Sequence, residues 1–221
     1  LDFFSIYDEY NKVYKLDDSV SFQWLRNSHC IGATQLQLIL TSDISQKRIL
    51  YTSDIGSLTD KNHYVGITEI PEMYNNLTIL ESTYGNPKRI NKKTRQFDME
   101  HLKVAIETVL ERKGSVILPA FSFARSQELL TMLYEIFGDD ESFTTPIVVD
   151  SMLTCDITNA YQYILDKESL KLWKKVCNWE NVKYIKDKIE SQACVQDTTP
   201  KVVISSSGFC TNGRVLSYLD K

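Results

Sequence analysis

Three short and wholly apolar segments, Val116–Leu118, Ile147–Val149 and Val202–Ile204, constrain this chain more than any other feature. Each is too short to be a helix and too uniformly apolar to be a strand with one wet face. Each also leads into a stretch of helical pattern. The first is followed by a helix over Ala124–Phe137 ended by Gly138, the second by a helix over Thr154–Leu165, and the third by a helix from Gly213 to Leu219. A further helix precedes the first strand: Leu102, Ala105, Ile106, Val109 and Leu110 share one face, Asp98 can cap it, and Gly114 stands where it would stop. Apolar strands alternating with helices imply a parallel sheet covered on both faces, so the fold class is α/β.

Upstream of residue 85 the pattern differs. Short β-rich runs, Ser19–Leu25, Gln35–Thr41, Arg48–Thr52 and Leu77–Glu81, are separated by turn-forming stretches such as Thr41-Ser42-Asp43 and Ser57-Leu58-Thr59-Asp60. The opening Phe3–Tyr14 has the spacing of an amphipathic helix. The change of pattern divides the chain into residues 1–85 and 86–221.

Composition removes several classes of function. No apolar run approaches the ~18 residues of a membrane span, and the N-terminus lacks a signal-peptide pattern, so no membrane partner is expected. The five cysteines (Cys30, Cys155, Cys177, Cys194, Cys210) are scattered and form no C-x-x-C pair. That fits reduced thiols in the cytoplasm rather than a disulfide scaffold or zinc ribbon. A net charge of −4 gives no global attraction to a phosphate backbone. Lys88, Arg89, Lys92, Lys93 and Arg95 do crowd into eight residues, but a solvated loop explains them as well as a nucleic-acid contact does.

In parallel sheets, ligands sit outside the C-terminal strand ends. Here those ends read Pro119-Ala120-Phe121-Ser122-Phe123-Ala124-Arg125, Val149-Asp150-Ser151-Met152 and Ser205-Ser206-Ser207-Gly208-Phe209-Cys210-Thr211-Asn212-Gly213-Arg214. Ser122, Ser151, Ser207 and the amide of Gly208 lie where helices begin, so hydroxyls and free N–H groups can bind an anion. Arg125 and Arg214 could add charge-assisted contacts. For any single serine, plain N-capping is the alternative.

The same strings resemble those of the β-CASP nucleases, a nucleic-acid-processing branch of the metallo-β-lactamase superfamily. Leu80-Glu81-Ser82-Thr83-Tyr84-Gly85 reproduces the E-S-T-Y-G motif. Val116–Leu130 resembles the segment in which a hydrophobic strand leads to Pro-Ala-Phe and then Arg-x-Gln-Glu, with Ala124 where a glycine usually precedes the arginine. Ser206–Leu219 resembles S-G-x-x-x-G-G-R-x-L, with Asn212 in place of the first glycine of the pair. Ser28-His29-Cys30-Ile31-Gly32-Ala33 resembles G-H-x-x-G-A, and Tyr51-Thr52-Ser53-Asp54-Ile55-Gly56 resembles Y-T-G-D-I-G, with Ser28 and Ser53 replacing glycines. One such match would be weak; five in order are specific.

The resemblance implies part of a metallo-β-lactamase-like αββα domain over 1–85, followed by most of a Rossmann-like β-CASP domain over 86–221. It implies His29 as a zinc ligand, Asp54 as the aspartate bridging two zinc ions, and Glu81 as the acidic residue that orients a histidine. The family's His-x-His-x-Asp-His motif and its later histidines do not occur here, and His63 and His101 match no family ligand. The expectation is therefore an incomplete piece of an RNA-hydrolysing nuclease, inactive alone. Its implied partners are RNA, the rest of a parent chain and, as one assembly state, a homodimer. Two other readings compete: a non-catalytic scaffold or RNA-binding subunit of the same fold, and an α/β domain binding a small phosphorylated metabolite.

Overall fold

In the computed structural model, residues 6–58, 63–83, 85–86 and 94–220 are described. Two compact units emerge, Leu1–Asn91 and Lys92–Lys221. The boundary falls later than the change of pattern at residue 85, within the segment 87–93 that lies outside the described residues.

The first unit is built on a five-stranded sheet of β1 (Tyr14–Lys15), β2 (Val20–Arg26), β3 (Thr34–Ser42), β4 (Ser45–Tyr51) and β5 (Leu77–Ile79), in that spatial order. All neighbours are antiparallel except β4 and β5. The expected helix over Phe3–Tyr14 is not formed in its described part. Residues 6–13 are irregular and Tyr14 starts β1. The apolar spacing serves a different purpose, because Tyr7 and Tyr14 pack edge-on and tilted against Phe22 of β2, with ring centroids 5.1 and 5.5 Å away. Asn11, at φ 60°, turns the chain back before it enters the sheet.

The second unit carries a parallel sheet in the order β6 (Val116–Pro119), β9 (Val202–Ser205), β7 (Ile147–Asp150), β8 (Val182–Tyr184). The three apolar segments of the sequence are its three contiguous strands. Ile117, Val203 and Val148 stand in one row and pack with Ile185, Cys194 and Tyr218. Alternate residues point to the opposite face. Every residue of β7 and β9 is buried, so both faces are covered.

Around the sheet run α1 (Arg95–Glu111), α2 (Arg125–Phe137), α3 (Met152–Tyr161), α4 (Lys167–Cys177), α5 (Lys188–Gln196) and α6 (Val215–Leu219). Thr94, not Asp98, caps α1 by accepting from the Phe97 amide, and Asp98 falls in the first turn. Helix α3 begins two residues earlier than the apolar pattern indicates, because Ser151 caps it. Asp166 and Asp187 start α4 and α5 in the same way.

Helix α2 starts without a side-chain cap, at Ala124 with φ 63° and ψ −52°. The Arg125 amide closes a three-residue turn onto the Phe123 carbonyl at 2.7 Å. A Cβ is strained there, which is the physical reason a glycine suits this position. Ala124→Gly is expected to raise stability by about 1 kcal/mol, seen as a later urea midpoint with unchanged slope. Among the described residues, no helix is long and apolar enough to cross a membrane.

Candidate functional site

In the first unit, strand direction brings the chemistry together. β2 and β4 are both antiparallel to β3, and β5 is parallel to β4, so β2, β4 and β5 all end at the same edge of the sheet. His29 lies three residues past β2, Asp54 three past β4 and Glu81 two past β5. The three residues implied by the resemblance therefore follow strands that finish at the same end of the sheet.

Asn27, which the sequence reading did not single out, fastens two of these loops. It is buried, at 1% exposure. Its Nδ2 donates to the carbonyls of Thr52 (2.9 Å) and Asp54 (2.7 Å), while its Oδ1 accepts from the amides of His29 (3.0 Å) and Gly56 (3.1 Å). One side chain thus sets the backbone at both His29 and Asp54. Ser28 stands where the family has a glycine and is buried; its hydroxyl donates to the Ser57 carbonyl and pairs with that of Thr68. The room for it comes from Gly56, where a Cβ would run into the Ser28 carbonyl carbon and the His29 amide. Ser53, also at a glycine position of the family, has φ 51°, and its hydroxyl holds the Thr34 carbonyl at 2.8 Å.

Glu81 is half-buried and bound by two backbone amides: Thr83 at 2.6 Å and Ile55, next to Asp54, at 3.2 Å. Those hydrogen bonds, the Thr83 contacts first, hold its carboxyl below the ordinary glutamate range, with a smaller contribution from nearby His29. A depressed carboxyl stabilises the fold above the unfolded-state value and loses that contribution as pH falls through the folded-state one. Glu81→Gln is expected to weaken the neutral-pH fold and to flatten the stability profile below about pH 4.3. A pH series of urea melts would show this; parallel profiles for both proteins would contradict it.

The His29 ring and the Asp54 carboxylate have no hydrogen-bond partner among the described residues, and Asp54 is exposed. One imidazole and one carboxylate are suitable zinc donors but too few, since zinc takes about four. Among the described residues, no group of three or more His, Cys, Asp or Glu side chains could hold a metal. His63 has its ring beside Tyr64, and His101 bonds the Phe97 carbonyl within α1.

In the second unit the serine-bearing strand ends lie in register: Pro119, Ser205 and Asp150 form one row across β6, β9 and β7. The Ser122 and Ser151 hydroxyls meet across the top of β9 at 3.1 Å. Ser151 also accepts from the Thr154 amide, so it does act as an N-cap. Ser207 donates its amide to the Asn212 carbonyl, and its buried hydroxyl oxygen has no hydrogen-bond partner among the described residues. Gly208 lies close enough to Phe121 that a Cβ would come within 3.2 Å of its amide nitrogen.

The Arg-x-Gln-Glu segment divides its labour. Arg125 is exposed and forms no ion pair among the described residues. Gln127 is buried, and its amide donates to the Ser122 carbonyl and the Thr158 hydroxyl. Glu128 pairs with Arg95 at 2.7 Å. Of the basic cluster, Lys88, Arg89, Lys92 and Lys93 lie outside the described residues, as does Tyr84 of the E-S-T-Y-G motif.

Arg214, expected from sequence to face an anionic ligand, gives its Nη1 to Asp150 at 2.6 Å. Asp150 is fully buried and also accepts from Ser191 (2.6 Å) and Tyr218 (2.8 Å). It organises the 206–214 loop, and the sequence reading passed over it. The signal was there, in a carboxylate closing the apolar run Ile147-Val148-Val149.

Residues 126–221 match the family model described as the Beta-Casp domain. An RNase J-like protein of Methanocaldococcus jannaschii is 27% identical over 205 residues, covering 93% of this chain and 47% of the relative. Endoribonuclease YSH1 of Eremothecium gossypii is 26% identical, covering 92% of this chain and 26% of the relative. Integrator complex subunit 11 of Danio rerio is 26% identical, covering 94% and 33%. The chain thus spans less than half the length of these relatives.

Proposed function

The chain belongs to the β-CASP branch of the metallo-β-lactamase superfamily, and on that premise we propose that it is part of a zinc-dependent nuclease hydrolysing RNA phosphodiester bonds. In this reading the first unit is a portion of the metallo-β-lactamase-like domain and the second most of the β-CASP domain. Relatives named as endoribonuclease and RNase J-like protein support RNA as substrate. A relative named as a complex subunit supports further protein partners.

The observation that carries the reading is the gathering of His29, Asp54 and Glu81 at one sheet edge, with Asn27 and Gly56 fixing the first two loops. The backbone at both His29 and Asp54 is fixed by Asn27, while among the described residues neither side chain uses its polar atoms in a hydrogen bond. His29 and Asp54 would be a minority of the metal donors, the remainder coming from elsewhere in the parent protein, and this chain alone would be inactive. Zinc, once bound in the parent, would supply Lewis-acid activation of water. Within this chain, Glu81 orders the Asp54 loop through the Ile55 amide. Ser122, Ser151, Ser207, the Gly208 amide and Arg125 would take substrate phosphates, with any free edge of Arg214 as a further donor. The cytoplasm is the compartment that fits the free thiols.

The test is made on the protein encoded by the full reading frame. About two zinc ions per chain and cleavage of single-stranded RNA are expected. Asp54→Ala should lower both metal content and the cleavage rate, the latter by at least about a thousandfold. RNA binding without metal or cleavage would instead identify a non-catalytic scaffold of the same fold. Binding of mononucleotides in preference to RNA would identify the small-metabolite reading.

A further inference from the structure

Resting on the RNA reading, we propose that Phe121 and Phe209 form a stacking platform for one unpaired nucleobase of a single-stranded RNA. The two rings meet edge to face, with centroids 5.0 Å apart and an interplanar angle of 86°. Even so, Phe121 remains 46% exposed and Phe209 75% exposed. A lone exposed phenylalanine needs no explanation. This pair does, because the loops that display it are held in place.

The Phe121 carbonyl accepts from both the amide and the hydroxyl of Ser126, and the Ala120 amide is bound to Ser205. The Phe209 loop is closed by bonds from Ser207 to Asn212, from Cys210 to Ser207 and from Val215 to Ser206. Its far end is anchored by Arg214 on Asp150. Gly208 lets the two loops touch: its would-be Cβ lies 3.2–3.4 Å from Phe121 and Ala120. An exposed ring on a pre-ordered loop binds a flat partner without first losing conformational freedom.

The surroundings favour a nucleotide over a purely apolar partner. Phe123, 43% exposed, stands on the same short loop as Phe121, and the exposed Arg125 opens the helix that follows it. Ser122 lies between Phe121 and Phe123 in sequence, its hydroxyl paired with that of Ser151. Aromatic faces for a base, beside a cation and hydroxyls for its phosphate, are how single strands are bound without base-pair readout.

The test measures binding by the full 221-residue chain of two fluorescein-labelled short 5′-phosphorylated RNAs of equal length, one normal and one with a single abasic position. Phe209→Ala is expected to weaken the normal RNA about tenfold and to narrow its advantage over the abasic one. Phe209→Trp should retain binding. Because Phe209 is mostly solvated, its thermal unfolding should match the parent's, which separates stacking from misfolding. If the parent binds RNA and Phe209→Ala binds it equally well, the platform is wrong and the RNA reading stands. Equal weakening of both RNAs also overturns it. A chain that binds no RNA overturns platform and RNA reading together. A dimer that Phe209→Ala dissociates, with RNA binding unchanged, would assign the rings to self-association instead.

Discussion

Replacing Asp150 by alanine is expected to destabilise the parallel-sheet unit by about 4 kcal/mol. The side chain is fully buried and takes three donors: Arg214, Ser191 and Tyr218. Alanine would leave a largely buried guanidinium without its counter-charge and two hydroxyls without an acceptor. An uncompensated charge is the costliest of these losses. The paired change Asp150→Ala with Arg214→Met should recover part of the loss, since it removes the orphaned charge as well as its partner. Urea unfolding followed by near-ultraviolet circular dichroism of the second unit's tryptophans would measure both. If the double variant proved no better than the single one, the ion pair would not be the source of the effect. On the proposal that RNA lies on this surface, its binding should fall with Asp150→Ala, because the 206–214 loop loses the Arg214 anchor.

Gly56→Ala should do comparable damage to the first unit, on the order of 3 kcal/mol. The added carbon would collide with backbone atoms of Ser28 and His29, neither of which can rotate aside as a side-chain tip could. Both neighbouring loops are pinned, one by Ser28 on Ser57 and Thr68, the other by Asn27 on Thr52 and Asp54. The strain must separate the His29 loop from the Asp54 loop. Amide hydrogen exchange should therefore rise at His29 and Gly56, whose N–H groups are bound to Asn27. Gly208→Ala provides the contrast, because its closest contacts begin at 3.2 Å and require only a small shift. Equal tolerance of both substitutions would refute the claim that close loop approach at Gly56 shapes the site.

The two predictions bear on different chemistry. Asp150 supports the surface where RNA is proposed to lie, and Gly56 the place where metal donors are proposed to meet. Loss of RNA binding with the His29 and Asp54 geometry intact, or the reverse, would be the signature that each unit carries its own share of function.

Much of this was legible in the sequence because the relevant forces are local. Val116–Leu118, Ile147–Val149 and Val202–Ile204 are apolar on both faces, and a strand of that kind has nowhere stable to lie but inside a covered parallel sheet. Their order in sequence could not give β6-β9-β7, since pairing depends on crossovers that no single strand encodes. The stretch 166–201 within the parallel unit was passed over, although Leu170, Trp173 and Val176 carry helical spacing over α4. Strand β8 is three residues with a lysine at its centre, too short and polar to declare itself. The spacing in Phe3–Tyr14 suggested a helix, yet its tyrosines were recruited by Phe22 from a distant strand.

Buried polar groups show the same division. In β3 the alternation Gln35-Leu36-Gln37-Leu38 suggests leucines inward, but the glutamines are the more deeply buried, at 3% and 1%. Gln35 donates to the Arg26 and Glu69 carbonyls, and Gln37 to Asn75, partners that only the folded chain brings near. His29, Asp54 and Glu81 were singled out in the sequence only through the motifs they resemble, since residue type alone does not distinguish a ligand from a structural histidine or carboxylate. Asp150 was legible only as a carboxylate closing an apolar run; its role and that of Asn27 were not, because what each does is set by groups distant in sequence, up to 68 positions in the case of Tyr218. The sequence by itself determined the α/β class, the apolar strands and the identity of the chemical groups. Only the tertiary structure decided which side chains hold them, because hydrogen bonds and close contacts between remote segments exist only once the chain has folded.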